Sequence, residues 1–102
     1  MKEVTDSNFD EFIKEGLVLL EVHAIGWCGP CKVLAPIIEN ISKEIDNVSF
    51  GKLDVDDNTE TASKLGIRSI PSVFLYKDGE IVDKFVGVKQ RQEIIDFINA
   101  HI

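Results

Sequence analysis

The stretch Leu17-Val18-Leu19-Leu20-Glu21-Val22-His23-Ala24 constrains this chain more than any other. A strand with one face in water alternates apolar and polar residues, whereas this run is nearly continuously apolar, so it predicts a strand covered on both faces and central in its sheet. Before it, a short extended stretch around Glu3-Val4 leads to Thr5 or Asp6, either of which can cap a helix with Phe9, Phe12 and Ile13 on its apolar face and Gly16 at its end. After it, apolar residues recur at Leu34, Ile37, Ile38, Ile41 and Ile45, one stripe of an α-helix that starts at the cysteines. Pro36 falls inside that helix, where the lost amide donor and a crowded carbonyl predict a kink. Val48 to Val55 reads as a second buried strand, and Asp56-Asp57-Asn58 can cap a short helix ending at Gly66. Ser69-Ile70-Pro71 punctuates the chain before Val73 to Tyr76, and Lys77-Asp78-Gly79-Glu80 turns it into Ile81 to Val86 as an antiparallel hairpin. A last helix follows Gly87, with Ile94, Ile95, Phe97 and Ile98 toward the sheet. The order βαβαβαββα predicts an α/β fold around one mixed sheet, and 102 residues leave room for one domain, residues 1–102.

Charge and cysteine usage narrow the function. Eighteen acidic against 11 basic residues give −7 without a basic run, which argues against nucleic acid as a partner. Met1-Lys2-Glu3-Val4-Thr5-Asp6 shows no export signal and no apolar stretch approaches a membrane span, so a cytoplasmic protein with no membrane partner is expected. Cys28 and Cys31 are the only cysteines. A bond between them closes a loop so short that it is worth roughly 2 kcal/mol as a brace, against about 4.7 for a 100-residue loop. The pair therefore points to redox chemistry or metal binding. With His23 and His101 the chain could muster four metal ligands, but neither histidine has zinc-finger spacing and two ligands cannot close a tetrahedral site. Redox chemistry is the expectation, with no metal and no cofactor.

Trp27-Cys28-Gly29-Pro30-Cys31-Lys32, set between a buried strand and an amphipathic helix, resembles the active-site sequence of the thioredoxin family. Pro36, Lys52-Leu53-Asp54-Val55-Asp56, Gly66-Ile67-Arg68-Ser69-Ile70-Pro71, Lys77-Asp78-Gly79 and Gly87 follow in family-like order, so the resemblance spans essentially the whole chain. It implies the thioredoxin fold, a central mixed five-stranded sheet flanked by four helices. It also implies thioredoxin reductase as electron source, diverse disulfide-containing proteins as substrates, and a monomer. Ile70-Pro71 resembles the family's cis-proline opposite the active site; the isomer rests on that resemblance, because the local sequence does not mark it. Trp27, Gly29, Pro30, Ile70, Pro71 and Gly87 would then form a shallow substrate surface on which the backbone of Ile70 pairs with an extended peptide.

The chemistry needs these residues for physical reasons. Disulfide exchange requires a thiolate, and an ordinary cysteine with pKa about 8.5 is only a few per cent ionised at neutral pH. A helix N-terminus directs unsatisfied amides and the positive end of the dipole at the sulfur of Cys28, and lowering such a pKa to about 7 raises the thiolate fraction more than tenfold. Cys31 sits one turn further in and more buried, so access makes Cys28 the nucleophile and Cys31 the resolving thiol. Gly29 permits the tight turn, and Pro30 restricts the chain and helps set the redox poise.

Glu21 breaks the central strand, where a lone carboxylate is costly unless protonated or paired. The family usually has an aspartate in this strand that moves protons for the resolving cysteine, with Lys52 matching its charge partner. Glu21 is separated from Cys28 by six residues, Val22 to Trp27, one more than the family spacing. Either Glu21 fills that position with an extra residue near Ile25-Gly26, or Val22 occupies it with no insertion. The first alignment also places Ala24 on a small residue common in the family, and is preferred. His23 then falls where the family often has an aromatic residue, so the pH dependence of proton transfer is expected to differ. Rival functions are a thiol oxidase or isomerase, opposed by the lack of an export signal, and a non-enzymatic interaction module, opposed by the intact cysteine pair.

Overall fold

The computed structural model describes residues 1–102, in which nine elements run β1 (Lys2–Glu3), α1 (Phe9–Ile13), β2 (Leu17–His23), α2 (Gly29–Ser42), β3 (Ser49–Asp54), α3 (Thr59–Lys64), β4 (Ser72–Lys77), β5 (Glu80–Val86) and α4 (Arg91–Asn99). The sheet order is β1-β3-β2-β4-β5, with β1, β3 and β2 parallel and β4 and β5 antiparallel to their neighbours. The expected mixed sheet with four helices is observed, and β2 is its middle strand.

Alternate residues of β2 build two cores. Leu19 packs with Leu34, Ile38 and Ile41 of α2 and Ile94 and Ile98 of α4. Val18, Leu20 and Val22 point the other way, toward Phe9 and Phe12 of α1 and Leu65 after α3. The α1 side comes so close to the sheet that a Cβ on Gly51 would lie 2.5 Å from the Phe12 ring and 2.6 Å from Val4. The hairpin tip uses Asp78 (φ 50°) and Gly79 (φ 89°), the left-handed pair that matches the twist of the flanking strands. Asp78 also ties the tip to the end of α1: its carboxylate accepts from the Gly16 amide at 2.8 Å, and its own amide donates to the Gly16 carbonyl at 3.0 Å.

One cap expectation is corrected, one cap is kept but serves distant segments, and one helix ends earlier than its apolar stripe suggests. Asn8, not Thr5 or Asp6, is the N-cap of α1. Asp6 instead reaches α3, where its carboxylate accepts from the Thr61 amide at 2.8 Å and hydroxyl at 2.6 Å. Those donors, the hydroxyl first, hold the Asp6 carboxyl below its usual range although the side chain is exposed. Asn58 is the N-cap of α3 by position, but its side chain bonds the Asp6 amide and the Asp54 carbonyl, tying the start of α3 to two other segments. Finally, α2 runs through Pro36 and ends at Ser42, so Ile45 packs on the core from the turn beyond the helix.

Candidate active site

At the end of β2 the Ala24 carbonyl accepts from the amides of Trp27 (3.3 Å) and Cys28 (2.9 Å), a turn that delivers the chain into α2. Cys28 is the N-cap of that helix, in extended conformation, with Gly29 and Pro30 as its first two residues. Proline costs nothing there, because amides in the first turn lack an intrahelical acceptor. The Sγ of Cys28 accepts from the Cys31 amide at 3.2 Å, the place a serine or aspartate oxygen takes in an ordinary cap. The two cysteines are joined as a disulfide. Cys28 retains 5% of its surface and Cys31 none, packed with Ala24 and bordered by Val55 and Ile70.

Around the sulfurs the loops at the end of the parallel strands form a surface. Trp27 is 65% exposed, and its indole N–H donates to Asp56 at 2.8 Å. An open groove of about 270 Å³ lies beside it, bordered by Val55, Ile67, Arg68 and Ile70. The Ile70-Pro71 peptide is cis, and the Ile70 carbonyl oxygen lies 3.9 Å from Cys28 Sγ. Gly29 and Pro30 are exposed, Ile70 and Gly87 half-buried, and Pro71 buried. The Gly87 amide donates to the Pro71 carbonyl at 2.8 Å, with φ 92° at Gly87. All six residues of the expected substrate surface therefore border the Cys28 end of the sheet. Asp56, which local pattern assigns to a helix cap, borders this surface through its bond to the Trp27 indole; its signal is the cluster Asp54, Asp56 and Asp57 at the C-terminal end of a parallel strand, where site loops gather.

Beneath this surface, Glu21 keeps 1% and His23 4% of their surface. The His23 ring nitrogen Nδ1 lies 3.4 Å from Glu21 Oε2. Lys52 is level with Glu21 on β3, half-buried, but no ion pair joins them; the expected Glu21–Lys52 pairing gives way to Glu21–His23. Lys52 is level with Glu21 and shares its face, and the imidazole of His23, two residues along the same strand, shares it as well. No group of three or more His, Cys, Asp or Glu side chains is placed to hold a metal ion, and no helix is long and apolar enough to cross a membrane.

Comparison with known proteins adds kinship to this geometry. The sequence model of the family described as Thioredoxin matches residues 1–100. The chain is 44% identical over 101 residues to a thioredoxin of Chlamydia caviae, covering 99% of this chain and 98% of that protein. It is 42% identical over 101 residues to a thioredoxin of Bacillus subtilis, covering 98% and 96%. Its structure is similar to the crystal structure of a Malassezia sympodialis thioredoxin, with a TM-score of 0.90 and 30% identity over 99% of this chain and 90% of the other.

Proposed function

The chain belongs to the thioredoxin family and is a thiol–disulfide oxidoreductase, and from that premise we propose that Cys28 is the attacking thiol, Cys31 the resolving thiol and Glu21 the proton carrier. The Cys28 thiolate attacks a substrate disulfide, forming a mixed disulfide and releasing one substrate sulfur as thiolate. Cys31 then attacks Cys28 Sγ, the mixed bond breaks, and the second substrate sulfur leaves. Two electrons pass from the dithiol to the substrate, and a reductase returns them. The observation that supports the order of attack is the cap: Cys28 Sγ already receives the Cys31 amide at 3.2 Å, so the negative sulfur is solvated by the helix as it forms, while Cys31 is sealed behind it.

Trp27, Gly29, Pro30, Ile70, Pro71 and Gly87 form the docking surface, in which the backbone of Ile70 pairs with an extended substrate and the cis-proline holds it beside the sulfur. Backbone pairing reads no sequence, which suits diverse protein disulfides as partners. The one-domain chain acts as a cytoplasmic monomer, in keeping with cysteine used for redox chemistry alone. The test is cysteine-to-serine exchange. The Cys31→Ser protein is expected to accumulate mixed disulfides and the Cys28→Ser protein none; a Cys31→Ser protein that traps nothing overturns the assignment.

A further inference from the structure

A second hollow, of about 190 Å³, lies between the segment that follows α3 and the edge strand β5. Its floor is apolar, with Phe74 buried and Leu65 and Ile67 half-buried, and its exposed rim carries Arg68, Lys84 and Val86. Lys84 is level with Phe74 in the β4–β5 register, so the two side chains share a face of the sheet. Neither Arg68 nor Lys84 makes an ion pair or a side-chain hydrogen bond, unlike Lys64 and Arg91, and no carboxylate lines the hollow. The neighbouring Asp83 alternates to the other face, where it bonds His101 at 3.0 Å. In a chain of net charge −7, these two cations make a local field opposite in sign to that of the molecule. The hollow also adjoins the substrate surface. Ile67 and Arg68 border both it and the groove beside Trp27, and Val86 leads into Gly87, whose amide holds the Pro71 carbonyl.

We propose that this hollow is a side-chain subsite for an acidic residue, glutamate above all, of the polypeptide whose disulfide docks at Cys28. This rests on the reaction proposed above and gives it a substrate preference. The apolar floor takes the methylenes of the glutamate, and its carboxylate ends among the guanidinium of Arg68 and the ammonium of Lys84. A small inorganic anion fits badly, because Leu65, Ile67 and Phe74 offer it no side-chain donor and its desolvation goes uncompensated. A polyanion meets the negative remainder of the surface. One acidic side chain on a strand already held at Ile70 meets neither difficulty: backbone pairing supplies the affinity and the hollow supplies the choice. Exposed ion pairs of this kind contribute roughly one- to fivefold each, so the two cations bias selection among substrates without restricting the protein to one.

The test mixes the pre-reduced chain, in stopped flow, with quenched-fluorescent disulfide peptides. Each carries one glutamate, or a glutamine in its place, about two to six residues to either side of the reactive cysteine, which covers about 20 Å of extended chain. Over one stretch of positions the glutamate peptide is expected to react about fivefold faster than its glutamine twin at about 0.02 M salt, falling to about twofold at about 0.5 M. Lys84→Gln is expected to lower that advantage to about twofold and Lys84→Glu to abolish it, each with the glutamine peptide reduced at the wild-type rate. Equal rates for the two peptides at every position overturn the subsite, as does an advantage that Lys84→Glu leaves intact. An advantage equal at all positions overturns it too, since that marks long-range attraction. Amide NMR of the oxidised chain, titrated with the glutamate peptide lacking its cysteine, reads the hollow without the reaction. Shifts at Arg68 and Lys84 are expected, and a peptide that moves neither overturns the subsite. Failure of the underlying reaction is distinct, because the wild-type chain then leaves even the glutamine peptide oxidised.

Discussion

The two faces of β2 are equally buried and chemically unlike. Val18, Leu20 and Val22 face α1 and α3 with no exposed surface and no polar atom; Leu19, Glu21 and His23 face α2 and α4 with 0%, 1% and 4% exposed. On the first face the unpartnered polar atom is the Tyr76 hydroxyl on β4, whose burial pushes its pKa up to about 12. On the second, a carboxylate and an imidazole meet at the end nearest the cysteines. A neutral hydroxyl can stand alone in a core for about 1–3 kcal/mol, whereas an unpaired carboxylate cannot. Burial alone thus does not decide which face holds charge. Charge sits where a partner is at hand, and the opposite face is left to packing.

That division can be broken or sharpened by substitution. Leu20→Ala opens a cavity on the packing face and is expected to cost about 3 kcal/mol in denaturant unfolding, with disulfide reduction per folded molecule unchanged; an equal loss of chemistry would show that the faces are not separate. Glu21→Gln is expected to slow the resolving step about a hundredfold at pH 7 with little change in unfolding. Rates unaltered across about pH 6 to 9 would remove the proton carrier from the α2 face. Gly51→Ala pushes a methyl into Phe12 and Val4 and is expected to cost about 1–3 kcal/mol of stability, read by thermal unfolding with activity retained. The smallest effect is Tyr76→Phe, which removes the orphan hydroxyl and is expected to be neutral or to stabilise by about 1 kcal/mol. Its pH signature follows from the raised pKa. In the wild-type chain the folded state keeps the phenol proton longer than the unfolded state, so stability is present below the unfolded value near 10 and falls as pH rises to about 12. Tyr76→Phe is expected to flatten that alkaline fall; a fall of undiminished slope would assign it to other groups.

Much of this molecule is legible along the chain because its signals are local. The apolar run at Leu17 to Ala24 marks the middle strand, the stripe from Leu34 to Ile41 marks α2, and Asp78-Gly79 marks the hairpin, each through a period or a backbone preference carried by adjacent residues. The cysteines, Trp27 and Pro71 are legible for the same reason, as contiguous motifs. What was not legible involves side chains choosing partners across the sheet. Asp6 reads as a cap for the helix that follows it, yet serves Thr61, 55 residues away. Asp56 reads as a cap too, yet holds the Trp27 indole, 29 residues away. Lys52 reads as the partner of Glu21, yet His23 takes that place.

By itself the sequence determined the order of strands and helices, the central place of β2 and the setting of two cysteines at the head of a helix, since periodicity and propensity act over a few residues. Only the tertiary structure decided which polar groups meet. Those pairings depend on strand register and side-chain reach between distant segments, and several donors and acceptors compete for each place until the sheet has formed.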